Sequence, residues 1–585
     1  HKRFPQARTD GFPSAGFAVL PHRNIQNEEW KKRTVYQIYP KSFCDSDGDG
    51  IGDIRGIISK LDYLQNLGVG AVWLTPMYCS PQVDNGYDIS DYYEIDKLFG
   101  SKNDFLELVE GAHKRDIRII MDLVLNHTST DHMWFKKAFI EKDNKYRDYY
   151  IVKPGVNGKE PNNWKSFFGG SAWEKIEGED NYYLHLFAKE QADLNWECEA
   201  LRDELSDMMK YWVELGVDGF RLDVINLISK DQAFPDDDTL NDIPGKKYYI
   251  NGPRLHEFLK EINTKIFTPF DVLTVGETMD ASVEDAVLLT SPQEKELDMI
   301  FAMEHMQVDY KNGDRWSVQD TDFLKLKDIL SKWQYKMEET GGWNSLFWSN
   351  HDQPRVVSRF GDNGKYRVES AKMLATVLHM LKGTPYIYQG EEFGMPNPGY
   401  ETIEEFEDIE SLNVYKERKE RGIEESTIMQ GICRQSRDNG RSPMQWNASE
   451  GNGFSSGTPW IKMGRSASLI NAENDLKRED GVFHYYKKLL EMRKTEELVR
   501  EGKYVRLEEN DPSVWCYLRE GEKEALLVIA NFFGEKTEFK MPKQWNDNYE
   551  ITEKLLANYS DTEIPESYMK LREYETAVFR CIKKR

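Results

Sequence analysis

GFRLDVIN, residues 219–226, is the stretch on which the fold reading turns. Read as a strand, it points Arg221 and Asp223 the same way, because side chains two residues apart share a face. The guanidinium can then hold the Asp223 carboxylate ionised. Seven further apolar runs resemble it: TVYQIYP (34–40), AVWLTP (71–76), IRIIMDLVLNH (117–127), VLTVGET (272–278), LDMIFAMEH (297–305), SLFWSNHD (345–352) and PYIYQGEE (385–392). Between them lie helical patterns such as Ile58–Leu67 and Asp203–Leu215, with apolar residues three and four apart. Continuous apolar strands alternating with helices predict a parallel sheet, and eight repeats predict a closed (β/α)8 TIM barrel.

Polar groups crowd the C-terminal ends of these runs: Asn126–His127, Arg221–Asp223, Glu277, His351–Asp352 and Glu391–Glu392. Loops converge at that end of such barrels, so this is where chemistry is expected. Two long insertions interrupt the rhythm. Residues 128–194 are expected to form a small inserted domain walling one side of a cleft after the third strand, and a second segment runs from Glu392 to RDNGRSPMQW (437–446). The barrel is then expected over 25–127 and 195–504. From about 505 short strands alternate with polar turns, predicting a C-terminal antiparallel β-sandwich over 505–585.

Composition narrows the function classes. A net charge of -24 argues against nucleic acid and anionic membrane as partners. No run of 18 apolar residues occurs, so no spanning helix is expected. Six cysteines stand singly, without a CxxC pair, which fits a reducing compartment and a cytoplasmic protein. Residues 1–24 carry basic residues and a short apolar run, Gly16 to Leu20, too short for a signal-peptide core. They are expected to be a translation remnant or disordered tail, with a poor secretion signal the alternative.

Three constellations carry chemistry. DSDGDGIGD (45–53) sets Asp45, Asp47 and Asp49 at alternate positions, followed by the Ile51 carbonyl and Asp53. Oxygen ligands so spaced predict a structural Ca²⁺, with Mg²⁺ possible, although the bidentate Glu of an EF-hand loop is missing at Gly56. Asp223 and Glu277 end neighbouring strands, which lie ~5 Å apart. That suits the ~5–5.5 Å carboxyl separation of a retaining glycosidase. A partly desolvated Glu277 beside Asp223 should have a raised pKa and serve as the acid. Asp352 supplies a third carboxylate, suited to gripping hydroxyls and stabilising oxocarbenium charge.

DLVLNH (122–127), GFRLDVIN (219–226), VGET (275–278) and SNHD (349–352), in this order, resemble the signature regions of glycoside hydrolase family thirteen, the α-amylase family. The resemblance runs from about Trp30 to the C-terminus. It implies Asp223 as nucleophile, Glu277 as acid/base and Asp352 as transition-state stabiliser. It further implies that Asp84, Tyr87, His127, Arg221, His351 and Arg441 line a pocket for the non-reducing glucose, and it assigns the metal to Asp45, Asp47, Asp49, Ile51 and Asp53. No organic cofactor is implied. The expected partner is a small di- or oligosaccharide, and the protein is expected as a monomer or weak homo-oligomer.

Within that family, NGYDISDY (85–92), SFFGGSAW (166–173) and GTPYIYQGEE (383–392) are similar to the branch of oligo-1,6-glucosidases and trehalose-6-phosphate hydrolases. PQVDNGYD (81–88), QADLNWE (191–197), RLDVINLISKD (221–231) and VDYKNGDRW (308–316) lean toward the phosphate hydrolases. Gln307 and Glu304 depart from that pattern, which usually carries Lys and His there. Lys311, Arg315, Lys230 or the Lys246–Lys247 pair are the candidate substitutes for the missing cation. The reading is a retaining exo-α-glucosidase acting on trehalose 6-phosphate. The alternatives are an oligo-1,6-glucosidase and a sucrose-isomerising or glucosyl-transferring relative.

Overall fold

The computed structural model describes residues 28–240 and 242–584. The expectation for residues 1–24 lies outside them. All eight predicted runs are strands of one parallel sheet: β1 Val35–Ile38, β2 Ala71–Leu74, β3 Arg118–Val124, β4 Gly219–Asp223, β5 Leu273–Glu277, β6 Met299–Phe301, β7 Ser345–Leu346 and β8 Thr384–Tyr388. Their spatial order is β6-β5-β4-β3-β2-β1-β8-β7. Across the seam between β6 and β7, the Ser345 hydroxyl donates to the Ile300 carbonyl. The sheet thus curls into the expected barrel.

Register places the functional residues. Arg221 on β4 lies opposite Asp122 on β3 and Val275 on β5. Side chains alternate along a strand, so Arg221 and Asp122 turn into the barrel together. Gly219 opens β4 because a Cβ there would sit 2.9 Å from the Leu273 carbonyl oxygen. The helical patterns form as expected, with a break: Ile54–Ser59 is followed by Leu61–Leu67, while Glu199–Glu214 is one helix. Their apolar faces join the barrel strands in one continuous core that includes Leu64, Leu67, Leu205 and Trp212.

The inserted segment forms its own three-stranded antiparallel sheet, Val152–Pro154, Asn181–Leu184 and Trp173–Lys175. Its stem is the ribbon His127–Ser129 against Gln191–Asp193, so His127 and Gln191 enter the site as strand residues. The second insertion, read from sequence only as a long segment, contains helices Ile409–Glu420 and Glu425–Gln435.

The C-terminal unit begins two residues before the expected boundary, at Lys503. Its five antiparallel strands are β9 Lys503–Arg506, β10 Val514–Glu520, β11 Glu524–Asn531, β12 Tyr549–Ala557 and β13 Thr576–Lys583. A two-stranded ribbon, Thr537–Lys540 with Tyr568–Leu571, packs Phe539, Met569 and Leu571 over one face of that sheet. All six cysteines are unpaired. Among the described residues no helix is long and apolar enough to cross a membrane.

Candidate active site

A cavity of about 370 Å³ opens at the C-terminal ends of the barrel strands, lined by Asp84, Tyr87, His127, Asp223, Glu277 and Asp352 among others. Its floor is organised by Arg221, which is 2% exposed. One nitrogen, Nη1, donates to Asp122 at 2.9 Å and to Asp223 at 2.7 Å, while Nη2 donates to Glu277 at 2.6 Å. Trp73 lies under the guanidinium with its ring centre 5.1 Å away. Val224 follows with φ 36° and ψ 42°. That left-handed turn costs a β-branched residue roughly 1–3 kcal/mol. It aims the Val224 N–H at Glu277, 3.2 Å away.

Electrostatics depart from the sequence reading in one respect. Burial pushes the Asp223 carboxyl well above the usual range, the neighbouring charges of Glu277 and Asp122 add to this, and Arg221 opposes it. Arg221 was expected to hold this carboxylate ionised; burial, with two further carboxylates beside it, outweighs the guanidinium. Asp122, which sequence reading left unassigned, is also raised, to about 6, by burial. It is tied to Trp73 Nε1 and the Tyr87 hydroxyl as well as to Arg221.

Opposite this pair stands Asp352. Burial disfavours its charge, but His351, Arg441, Arg437 and Arg221 together hold its carboxyl well below the usual range. Arg441 donates to it at 2.8 Å and grips the His351 carbonyl at 3.1 Å. His351 is stacked on Tyr87 and sits between Gln37 and the Tyr87 hydroxyl, each at 2.8 Å. Burial lowers its pKa to about 3, and His127 is lowered to about 4 for the same reason, so both are neutral imidazoles.

Asp84 is pushed up to about 6 by burial, against the pull of Arg437 and Arg441. Its Oδ2 accepts from Gln191 at 3.1 Å, whereas Oδ1 is buried without a hydrogen bond, 3.6 Å from Arg437, and Arg441 Nη1 likewise, 3.8 Å from Asp408. A buried acceptor and donor without hydrogen bonds are costly unless a ligand completes them. Both belong to the group predicted from sequence. Asp84, Tyr87 and His127 reach the cavity wall, while Arg221, His351 and Arg441 stand directly behind it.

Arg437 was missed. It lines the cavity, pairs with Asp408 at 2.7 Å and lies 3.6 Å from both Asp84 and Asp352. Its position one helical turn before Arg441, in the quoted RDNGRSPMQW stretch, was the available signal. Asp408 carries no such signal, since it reaches the site only through tertiary folding.

The candidate phosphate cations separate clearly. Lys230 is buried and bonded to Asn126 and Asp193, so it is structural. Lys246 is held by Asp242 and Asp280, and Lys247 by Asp237 and Asp238. Lys311 is an exposed hairpin residue. Arg315 alone of this group lines the cavity, together with Gln307. Glu304 instead faces Lys332 and Trp333.

Away from the cavity, carboxylate oxygens of Asp45, Asp47 and Asp49 lie within 4.8 Å of one another. Burial and the charges of Asp47, Asp45 and Asp53 raise the Asp49 carboxyl. An oxygen-only set with a surplus of negative charge fits a hard divalent cation. Asp45 is already orientated by the N–H groups of Asp47, Gly48 and Gly50. Asp53, expected as a ligand, stands outside that cluster: it caps helix Ile54–Ser59 through Gly56 and clamps Ser46, so it shapes the loop.

A (β/α)8 barrel whose strand ends join two carboxylates through one arginine defines a glycoside hydrolase. The chain belongs to the α-amylase family: the alpha amylase catalytic domain matches residues 37–502, and the alpha-amylase SusG C-terminal domain matches 514–578. It is 53% identical over 559 residues to a trehalose-6-phosphate hydrolase of Bacillus subtilis, covering 95% of this chain and 99% of that one. An oligo-1,6-glucosidase of Bacillus cereus is 51% identical, covering 95% of this chain and 100% of that protein. The crystal structure of Bacillus licheniformis trehalose-6-phosphate hydrolase superposes with a TM-score of 0.91 at 52% identity, covering 95% of this chain and 100% of that one.

Proposed function

We propose that this enzyme is a retaining exo-acting α-glucosidase that hydrolyses trehalose 6-phosphate to glucose and glucose 6-phosphate. The observation that carries the chemistry is the shared arginine: Arg221 holds Asp223 and Glu277 side by side at 2.7 and 2.6 Å. Close carboxyls are the geometry of double displacement. In the reactive state Asp223 is ionised and Glu277 carries the proton to be donated. Asp223 attacks the anomeric carbon while Glu277 protonates the leaving oxygen. Water then attacks the glucosyl ester, giving its proton to Glu277, and α-glucose leaves.

Asp84 Oδ1, in the cavity wall without a hydrogen bond, offers an acceptor for a sugar hydroxyl, while Arg441 acts from behind the wall through Asp352. Asp352, held ionised, stabilises the developing oxocarbenium charge. Asp45, Asp47, Asp49 and the Ile51 carbonyl would hold Ca²⁺ or Mg²⁺ as a structural clamp on the loop after β1, which Asp53 shapes.

The phosphorylated substrate is supported by Arg315, a cation in the cavity wall, and by the similarity to enzymes so named. Isomaltose-type substrates are the second reading, favoured by neutral Gln307 and by the acidic Asp280 and Glu410 in the same wall. The deciding measurement is kcat/KM for trehalose 6-phosphate against isomaltose and p-nitrophenyl α-glucoside. A clear preference for the phosphate ester is expected. A preference for isomaltose overturns the substrate assignment while leaving the chemistry in place.

A further inference from the structure

Arg315 lines the same cavity as Asp223, Glu277 and Asp352. It lies in strand Asp314–Val318, and its Nη2 donates to the Asp352 carbonyl at 2.8 Å and the Gln435 carbonyl at 2.9 Å. Nη1 reaches Glu410 at 3.3 Å, and Nε is buried with no hydrogen-bond partner. Glu410, in the first turn of helix Ile409–Glu420, lies 3.6 Å from Arg437 as well.

The two wall arginines are neutralised very differently. Arg437 is locked to the fully buried Asp408 at 2.7 Å. Arg315 has two neutral carbonyls and one long contact to a partly exposed carboxylate. A guanidinium offers five donors in a planar fork that matches phosphate oxygens in pairs. With Nη2 occupied by two carbonyls and Nε buried, Nη1 is the donor left for an oxyanion, and Glu410 meets it only at 3.3 Å.

We propose that Glu410 is a resident carboxylate that competes with an anionic leaving group for Arg315, so that the Arg315–Glu410 pair sets the preference for phosphorylated over neutral sugars. This rests on the trehalose 6-phosphate reading given above. A phosphomonoester displaces Glu410 toward solvent and accepts from Nη1 of the guanidinium. A neutral sugar cannot, and meets an already neutralised wall. Because Nη2 remains on the Asp352 carbonyl, the same residue ties anion binding to the backbone that carries the third carboxylate.

The test compares the full-length wild type with Glu410→Gln and Arg315→Lys. Two ratios are read: kcat/KM for trehalose 6-phosphate over trehalose, and the inhibition constants of glucose 6-phosphate and glucose against p-nitrophenyl α-glucoside hydrolysis. Glu410→Gln should raise the first ratio, and tighten glucose 6-phosphate relative to glucose, by about fivefold or more, an effect that shrinks at high salt. Arg315→Lys should move both ratios the opposite way, since a compact ammonium cannot span the two carbonyls and the anion together. Parallel changes for charged and neutral ligands in Glu410→Gln overturn the proposal. If the wild type prefers isomaltose, the substrate reading has failed, and the inhibition ratio still decides the role of Glu410. If Glu410→Gln does not fold, Arg315→Lys decides through the same inhibition ratio.

Discussion

The floor and the wall of the cavity are built to different tolerances. On the floor, Arg221 makes three ion-pair contacts between 2.6 and 2.9 Å, all to residues carried by adjacent barrel strands. On the wall, Glu410 meets Arg315 and Arg437 at 3.3 and 3.6 Å, from elements outside the barrel sheet. Strand register leaves a floor side chain little freedom, whereas no shared register fixes a wall residue. The difference teaches that the reaction is set by the barrel and the choice of substrate by what is laid over it.

That contrast can be broken most directly at the floor. Asp223→Asn and Glu277→Gln should each lower kcat/KM on the order of 10⁴-fold or more with every substrate, without loss of folded structure by circular dichroism. A mild loss in either would remove the double-displacement assignment, as would NMR detection of β-glucose as the first-formed product. Asp352→Asn should cost about 10²–10³-fold, expressed mainly in kcat, because it acts on charge that develops in the transition state.

A wall substitution should look different. Gln307→Lys adds a cation beside Arg315 and should raise the kcat/KM ratio of trehalose 6-phosphate to trehalose several-fold, with a salt dependence. A uniform fall across substrates would instead place Gln307 with the floor.

Proton linkage gives a smaller, distinct signal. Native Asp84 keeps its proton to about pH 6, whereas the unfolded chain releases it near its ordinary value. Between the two the native state binds more protons, so this residue makes stability fall as pH rises from about 4 to 6. Wild type should lose up to about 3 kcal/mol relative to Asp84→Asn across that window and run parallel to it above. A difference of the opposite slope, by chemical denaturation, would contradict the burial assigned to Asp84.

The smallest effect belongs to neither region. If the loop at 45–53 holds a divalent cation, chelation should lower Tm by about 2 °C or more, restored by Ca²⁺ or Mg²⁺. Asp49→Asn should abolish that response while leaving the substrate ratios where they were.

Much of the floor was legible before folding was considered. GFRLDVIN displays an arginine and a carboxylate on one strand face, and VGET and SNHD end two further runs in acids. The alternation of a strand fixes such relations locally, and the eight runs needed only to be counted to predict the barrel. Asp122 was harder to see: it faces Arg221 only because β3 and β4 pair in one register. Asp408 and Glu410 were out of reach, since the 392–437 segment has no motif that says its helix returns to the cavity.

By itself, then, the sequence determined the barrel, the family and the identities of the strand-end carboxylates, because these follow from short-range periodicity and order along the chain. Only the tertiary structure decided that burial raises the proton affinity of Asp223, which of the candidate cations faces the cavity, and that Arg437 stands beside Asp84 and Asp352. Those properties depend on burial and on the distances between residues far apart in the chain. Both are set by packing, and neither can be read from residue order.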